Sequence, residues 1–172
     1  MSFGFPNRIP AIETAIRYAD CLMFAAAANH GLNHDRAYPA KHDSVICIHS
    51  TNGRGRPSGF NPPCLEQRDN FSIVGEAINS AWPGEDEFMR KSGTSFATPV
   101  AAGLAAFVLE YGAQNLQDEL DKLRRLRMRE GMEDIFRLMT VKVDGYHYIR
   151  PWELFNRKNK EWTRTSILKA LE

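Results

Sequence analysis

Apolar residues recur along this chain at two spacings, and the spacing changes where the element changes. Between Arg8 and Asp20, Ile9, Ile12, Ile16 and Ala19 fall on one helical face, with Pro10 acceptable near the start. The next eight residues, Cys21–Ala28, are apolar without a break and stop at Asn29-His30-Gly31. That length predicts a strand buried on both faces, as in a parallel sheet. Ser44–His49 predicts a second buried strand and Phe71–Ile78 a third, while Thr51–Pro63, with Gly53, Gly55, Gly59 and three prolines, predicts a surface loop. Ala97, Ala101, Leu104, Ala105 and Val108 then return to helical intervals.

Farther on, Asn115–Glu130 predicts a helix that groups Leu116, Leu120 and Leu123 and pairs Asp118 with Lys122 and Asp121 with Arg125; Gly131–Met139 predicts a shorter piece. The tail, Thr140–Glu172, alternates at Val141 and Val143 and then turns aromatic and charged around Tyr146, Tyr148, Trp152, Phe155 and Trp162. Strands alternating with helices argue for an α/β layered architecture.

Composition narrows the function classes. The chain has 172 residues, 43% of them hydrophobic, enough for a substantial single core. A net charge of +1 gives no general pull toward nucleic acid or a membrane, and Cys21–Ala28 is too short to span a bilayer. Residues 1–11 show no basic and apolar signal-peptide pattern. Three cysteines, Cys21, Cys47 and Cys64, are an odd number without metal spacing, which predicts buried or free thiols and leans toward the cell interior. No carboxylate-rich calcium loop is recognisable and no cofactor is expected.

The chemistry concentrates in Ser92-Gly93-Thr94-Ser95-Phe96-Ala97-Thr98-Pro99-Val100-Ala101-Ala102-Gly103-Leu104. Gly93 permits a tight backbone approach, and Ser95 falls at the mouth of an Ala-rich helix, where unpaired N–H groups favour developing negative charge. Pro99 is expected in the first helical turn. This segment resembles the nucleophile segment of the subtilisin-like serine proteases, with Ser95 as nucleophile.

Three further segments carry the same resemblance. Ala26-Ala27-Ala28-Asn29-His30-Gly31 is similar to the family's Ala-Ala-Gly-Asn-x-Gly, whose asparagine donates to the oxyanion, with Ala28 where the family usually has glycine. Met1-Ser2-Phe3-Gly4 is similar to the Ser-x-Gly strand end along which substrate backbone lies. Tyr38-Pro39-Ala40 before Ser44-Val45-Ile46 resembles a turn and core strand of architectural importance. The segment from Trp82 to Ser92 reads as the approach loop to the nucleophile. The resemblance therefore implies a peptide or protein substrate, Ser95 and Asn29 as catalytic residues, and Ser2, Phe3, Gly4, Ala26, Ala28 and Thr94 as substrate contacts.

It also implies what is missing. The family's triad runs Asp, His, Ser, and its first two members lie before the Ser-x-Gly strand, which here begins at Met1. The five histidines, His30, His34, His42, His49 and His147, read as surface or strand-end residues rather than a base. The expectation is a three-layer parallel-sheet fold, incomplete at its N-terminal side: residues 1–112 as the C-terminal part of a catalytic domain, 113–172 as a helical, aromatic-rich extension. An upstream segment or partner chain would complete the sheet and supply Asp and His. The competing reading is an inactive module that binds peptides or docks on a larger protein. The basic run Lys122–Arg129 is interleaved with Asp118, Glu119, Asp121 and Glu130 and reads as a solvated face rather than a nucleic-acid site.

Overall fold

Four strands, β1 (Phe24–Ala26), β2 (Ile46–Thr51), β3 (Phe71–Val74) and β7 (Tyr146–Ile149), run parallel in that order, and β6 (Thr140–Val143) closes the sheet antiparallel to β7. A hairpin of β4 (Ile78–Ala81) and β5 (Phe88–Lys91) stands apart from this sheet. Among the described residues five α-helices complete the fold: α1 (Pro10–Tyr18), α2 (Thr94–Asn115), α3 (Leu120–Leu126), α4 (Arg129–Leu138) and α5 (Lys160–Ala170). The computed structural model describes residues 1–84, 87–155 and 160–172. Glu85 and Asp86 of the approach loop lie outside the described residues.

Strand alternation divides the core into two layers. Phe24, Ile46, Ile48, Phe71 and Ile73 face α2, whose Ala97, Ala101, Ala105 and Val108 form the buried stripe that the spacing predicts. Ala25, Ala27, Val45 and Cys47 point the other way, onto Ile16 of α1 and onto Tyr38 and Ala40. The result is helix, sheet, helix. Small residues on α2 let it lie close to the strands, so the first turn of α2 is fixed against the C-terminal ends of β1 to β3. By length and composition alone α2 is also apolar enough to cross a membrane, but here its stripe is spent on the sheet.

The tail does more than cover this arrangement. β7 pairs with β3 through Phe71↔His147 and Ser72↔Tyr148, and Phe136 of α4 sets its ring edge-on to Phe71 at 5.5 Å and near Phe24 at 6.1 Å. Met132, Ile135, Met139, Ile149, Leu154, Ile167 and Leu171 join the same core as Ala97 and Val108. Packing is continuous across residue 112, which lies inside α2.

Several elements differ from their expected bounds for identifiable reasons. Of Cys21–Ala28, ladder hydrogen bonds engage only Met23 to Ala27, because Cys21 is exposed and Ala28, at φ 145°, turns the chain out of the sheet. Phe71–Ile78 is not one strand: the N–H groups of Gly75 and Glu76 both bond Thr51 O, Ala77 takes φ 55°, and the chain leaves for the hairpin. The basic run is split between α3 and α4. Gly131 lets the two helices approach so closely that a Cβ there would run into Arg125 O. Of the run's charges, Arg124 bonds Asp121, Arg125 bonds Asp134 and Arg129 bonds Glu133, while Asp118 holds Arg164 instead of Lys122, whose ammonium donates to Leu171 O.

Candidate active site

Ser95 is the second residue of α2, and everything that places it is backbone or short side chain. Gly93 precedes the helix at φ 155°, and its N–H donates to Gly75 O at 2.9 Å. Thr94 is fully buried; its N–H and hydroxyl both donate to Asn29 Oδ1, at 2.8 and 3.1 Å, and the hydroxyl also reaches Ala28 O at 3.3 Å. These two donors fix the orientation of the Asn29 amide. Its Nδ2 is left turned toward Gly93, at 3.1 Å from where a Cβ on Gly93 would sit, with no acceptor among the described residues. The Ser95 N–H, one of the orphan donors of a first helical turn, likewise meets no acceptor there. Asn29 Nδ2, beside Gly93, and the Ser95 N–H are thus two unengaged donors at the start of α2.

Pro99 shapes the same spot in an unexpected way. It lies inside α2, as the sixth residue, and not in the first turn. A proline there has no N–H for the carbonyl four residues back, which is that of Ser95. That carbonyl instead accepts a hydrogen bond from Ser2 Oγ at 2.9 Å, and the Ser95 hydroxyl returns one to Ser2 O at 3.3 Å. The N-terminal segment is thereby stapled to the backbone of Ser95.

The expected substrate contacts occupy distinct places. Ser2, Phe3 and Gly4 lie exposed beside Ser95, with Gly4 against Ala37 and the next residue, Phe5, exchanging both backbone hydrogen bonds with Tyr38. A cleft of about 450 Å³ opens between Gly4, Phe5, His30 and Ala37. Ala26 is buried, with its N–H taken by Met1 O. Thr94 points into the protein, where it orients Asn29 and Ala28. Ala28 is half-buried and held at its positive φ by the Thr94 bond.

None of the five histidines hydrogen-bonds Ser95. His30 stacks edge-on with His34 at 5.6 Å; His42 Nε2 lies 3.6 Å from Glu13; His147 accepts from Asn70 N and lies 3.6 Å from Asp69. His49 departs from its expected strand-end position. It is central in β2, wholly buried, with Nδ1–H donating to Phe71 O and Tyr146 packed on the ring. Burial pushes its pKa down to about 3, so it is neutral at pH 7. Among the described residues no three His, Cys, Asp or Glu side chains converge as a metal site.

The model of the subtilase family matches residues 1–133. The chain belongs to the subtilase family. Among curated subtilases it is 32% identical over 161 residues to the subtilisin-like protease het-Q2 of Podospora anserina, covering 87% of this chain and 43% of that protein. It is 28% identical over 129 residues to the major intracellular serine protease of Bacillus subtilis, covering 71% of this chain and 40% of that one. The chain thus spans less than half the length of these relatives. The fold of the prenylagaramide maturation protease PagA superposes on all of it with a TM-score of 0.70 at 20% identity, and this chain covers 61% of that one. The self-cleaved protease domain of PatA matches 65% of the chain at 30% identity with a TM-score of 0.56, and 43% of that domain is covered. The similarity at the family level is to serine proteases.

Within this subtilase, sequence reasoning missed the residues that support the motif from behind. A Cβ on Gly75 would lie 2.6 Å from Ser50 Oγ, 2.8 Å from Ala97 Cβ and 2.9 Å from Gly93 O, so only glycine lets β3 reach the nucleophile turn. Ser50 is in turn held by Asn61, whose amide bonds its N–H and C=O at 2.9 and 2.7 Å, and by the Ser58 hydroxyl at 2.9 Å. Ser92 accepts the Ala77 N–H at 2.9 Å, tying the hairpin's entry to its exit. A glycine directly after the apolar run Phe71–Val74 was the available signal for the first of these.

Proposed function

We propose that this chain supplies the nucleophile side of a subtilase peptidase site. The observation that carries the reading is the pair of unengaged donors, Asn29 Nδ2 and the Ser95 N–H, at the Gly93–Ser95 turn. In this reading a substrate peptide lies along Ser2-Phe3-Gly4, and Ser95 Oγ attacks the scissile carbonyl as a base removes its proton. The carbonyl oxygen becomes an oxyanion held by the two donors. Collapse of this intermediate breaks the C–N bond, the protonated base gives its proton to the leaving amine, and water hydrolyses the acyl-enzyme by the reverse proton path.

The base and its orienting carboxylate come, in this proposal, from outside these 172 residues, through an upstream segment or partner chain. That segment would extend the sheet beyond β1, where an open cleft of about 480 Å³ runs between Leu22, Phe24 and the Ala102 and Ala105 face of α2. Thr94 acts by positioning Asn29 and does not touch substrate.

A fluorophosphonate probe tests the assignment. Co-expressed with a segment carrying the Asp and His, the chain is expected to be labelled at Ser95; Ser95→Ala abolishes labelling, and Asn29→Ala slows it. Absence of labelling with the circular-dichroism spectrum intact rejects the nucleophile assignment and leaves the docking-module reading.

A further inference from the structure

At the opposite end of the sheet from Ser95, below the first residues of β2 and β3, lies a cavity of about 280 Å³ lined by four arginines and three carboxylates. Three of the guanidiniums are matched: Arg68 with Asp43 at 2.6 Å, Arg137 with Asp69 at 2.6 Å, and Arg129 with Glu133 at 2.7 Å. The fourth, Arg36, is not. It is 5% exposed, and its hydrogen bond goes from Nη2 to a neutral amide oxygen, Asn70 Oδ1. Its Nε is enclosed without a partner, and Nη1 has no acceptor among the described residues.

Among the described residues no nearby group balances that charge. Burial pushes the Cys47 thiol up to about 11 and the His49 imidazole down to about 3, and it raises the Cys64 thiol and the Tyr146 phenol; all four are neutral at pH 7. Asp35 lies on a neighbouring pocket, but it is exposed and its partner is Lys41 at 3.9 Å. A guanidinium taken out of water without a counter-ion is costly, and removing the imbalance favours a bound anion.

We propose that this cavity binds one singly charged carboxylate, with the Arg36 guanidinium as its anchor and Arg68 at its side. The lining leaves one positive charge uncompensated, which one negative charge cancels; a dianion would face Asp43, Asp69 and Glu133. Asn70 takes one of the two Nη2 hydrogens, so one face of the planar fork, Nη2 with Nε or Nη2 with Nη1, keeps two free N–H groups, and such a pair suits the two oxygens of a carboxylate better than a spherical halide. The carboxylate is either a free small acid or the C-terminus of a peptide.

Calorimetric titration of the whole chain at constant ionic strength, chloride replaced stepwise by acetate, tests the site. Saturable binding is expected, weakened at least tenfold in Arg36→Gln and unchanged in Arg124→Gln, whose guanidinium is exposed and distant. A tetrapeptide with a free C-terminus then separates the sources: binding tenfold tighter than acetate assigns a peptide terminus, and equal or weaker binding assigns a small acid. A non-saturable response, equal affinity in Arg36→Gln, or equal binding of the tetrapeptide amide overturns the proposal. Arg36→Met guards against misfolding as the explanation. Without acetate it should unfold at no lower denaturant concentration than the parent chain, and only the parent should gain from acetate; equal gains in both overturn the site.

Discussion

The two ends of the sheet are built from different materials. At the Ser95 end the geometry rests on main-chain atoms and side chains of one to four heavy atoms: Gly75 O, Gly93, Ala28, Thr94 and Asn29. At the other end it rests on long charged side chains, with Arg68, Arg129 and Arg137 reaching across to Asp43, Glu133 and Asp69. Backbone contacts have no slack, whereas a guanidinium on a flexible stem can shift and still find its partner. The first end holds two unengaged donors in fixed positions; the second tolerates rearrangement.

The sharpest way to break this contrast is to add one carbon at the first end and remove one charge at the second. Gly75→Ala is expected to cost about 3 kcal/mol, because the new Cβ meets Ala97 and the Gly93 backbone, neither of which can swing away. Asp69→Asn should cost about 1 kcal/mol, since it weakens a half-exposed pair with Arg137. Urea unfolding of both variants ranks them, and a larger loss in Asp69→Asn would refute the distinction.

Between the two ends, His49 should make stability depend on pH. Its folded pKa is depressed to about 3, so below the ordinary value near 6.5 the unfolded chain takes up a proton that the folded chain refuses. Stability then falls as pH drops through that window, by about 2 kcal/mol at pH 5 from this residue alone. Denaturation at pH 7 and pH 5 measures it, and His49→Phe should flatten the difference; an unchanged slope in that variant would remove His49 as the cause.

The smallest effect is expected at Ala28. Its φ of 145° suits glycine, and relief of strain outweighs the extra freedom of the unfolded chain, so Ala28→Gly should stabilise by about 1 kcal/mol. A loss of stability in the same urea experiment would show that the backbone there is not strained.

The same contrast governs what could be read from the amino-acid order. The turn before α2 and the helix behind it were legible because they are a local device, spelled by consecutive residues, and the turn at Asn29 because it ends an unbroken apolar run. The two buried layers followed from spacing alone, with Ala97, Ala101, Ala105 and Val108 on the predicted face. What escaped depends on distant partners. Gly75 is constrained by Ser50 and Ala97, β7 is placed by Phe71, and His49 is sealed by Phe71 and Tyr146. No window of the chain contains both halves of those contacts. The convergence of four arginines and three carboxylates on one cavity is similarly invisible until the sheet brings them together.

Pro99 has a practical consequence for anyone handling this protein. Because it leaves the Ser95 carbonyl to the Ser2 hydroxyl, 93 positions away in the chain, the N-terminal segment and the first turn of α2 form one mechanical unit. A dye, affinity tag or foreign residue fused at the beginning of the chain would be sensed at Ser95, whereas one fused after Glu172 would leave that staple untouched. Reactivity compared between N-terminally and C-terminally tagged preparations would therefore differ for a reason that has nothing to do with substrate.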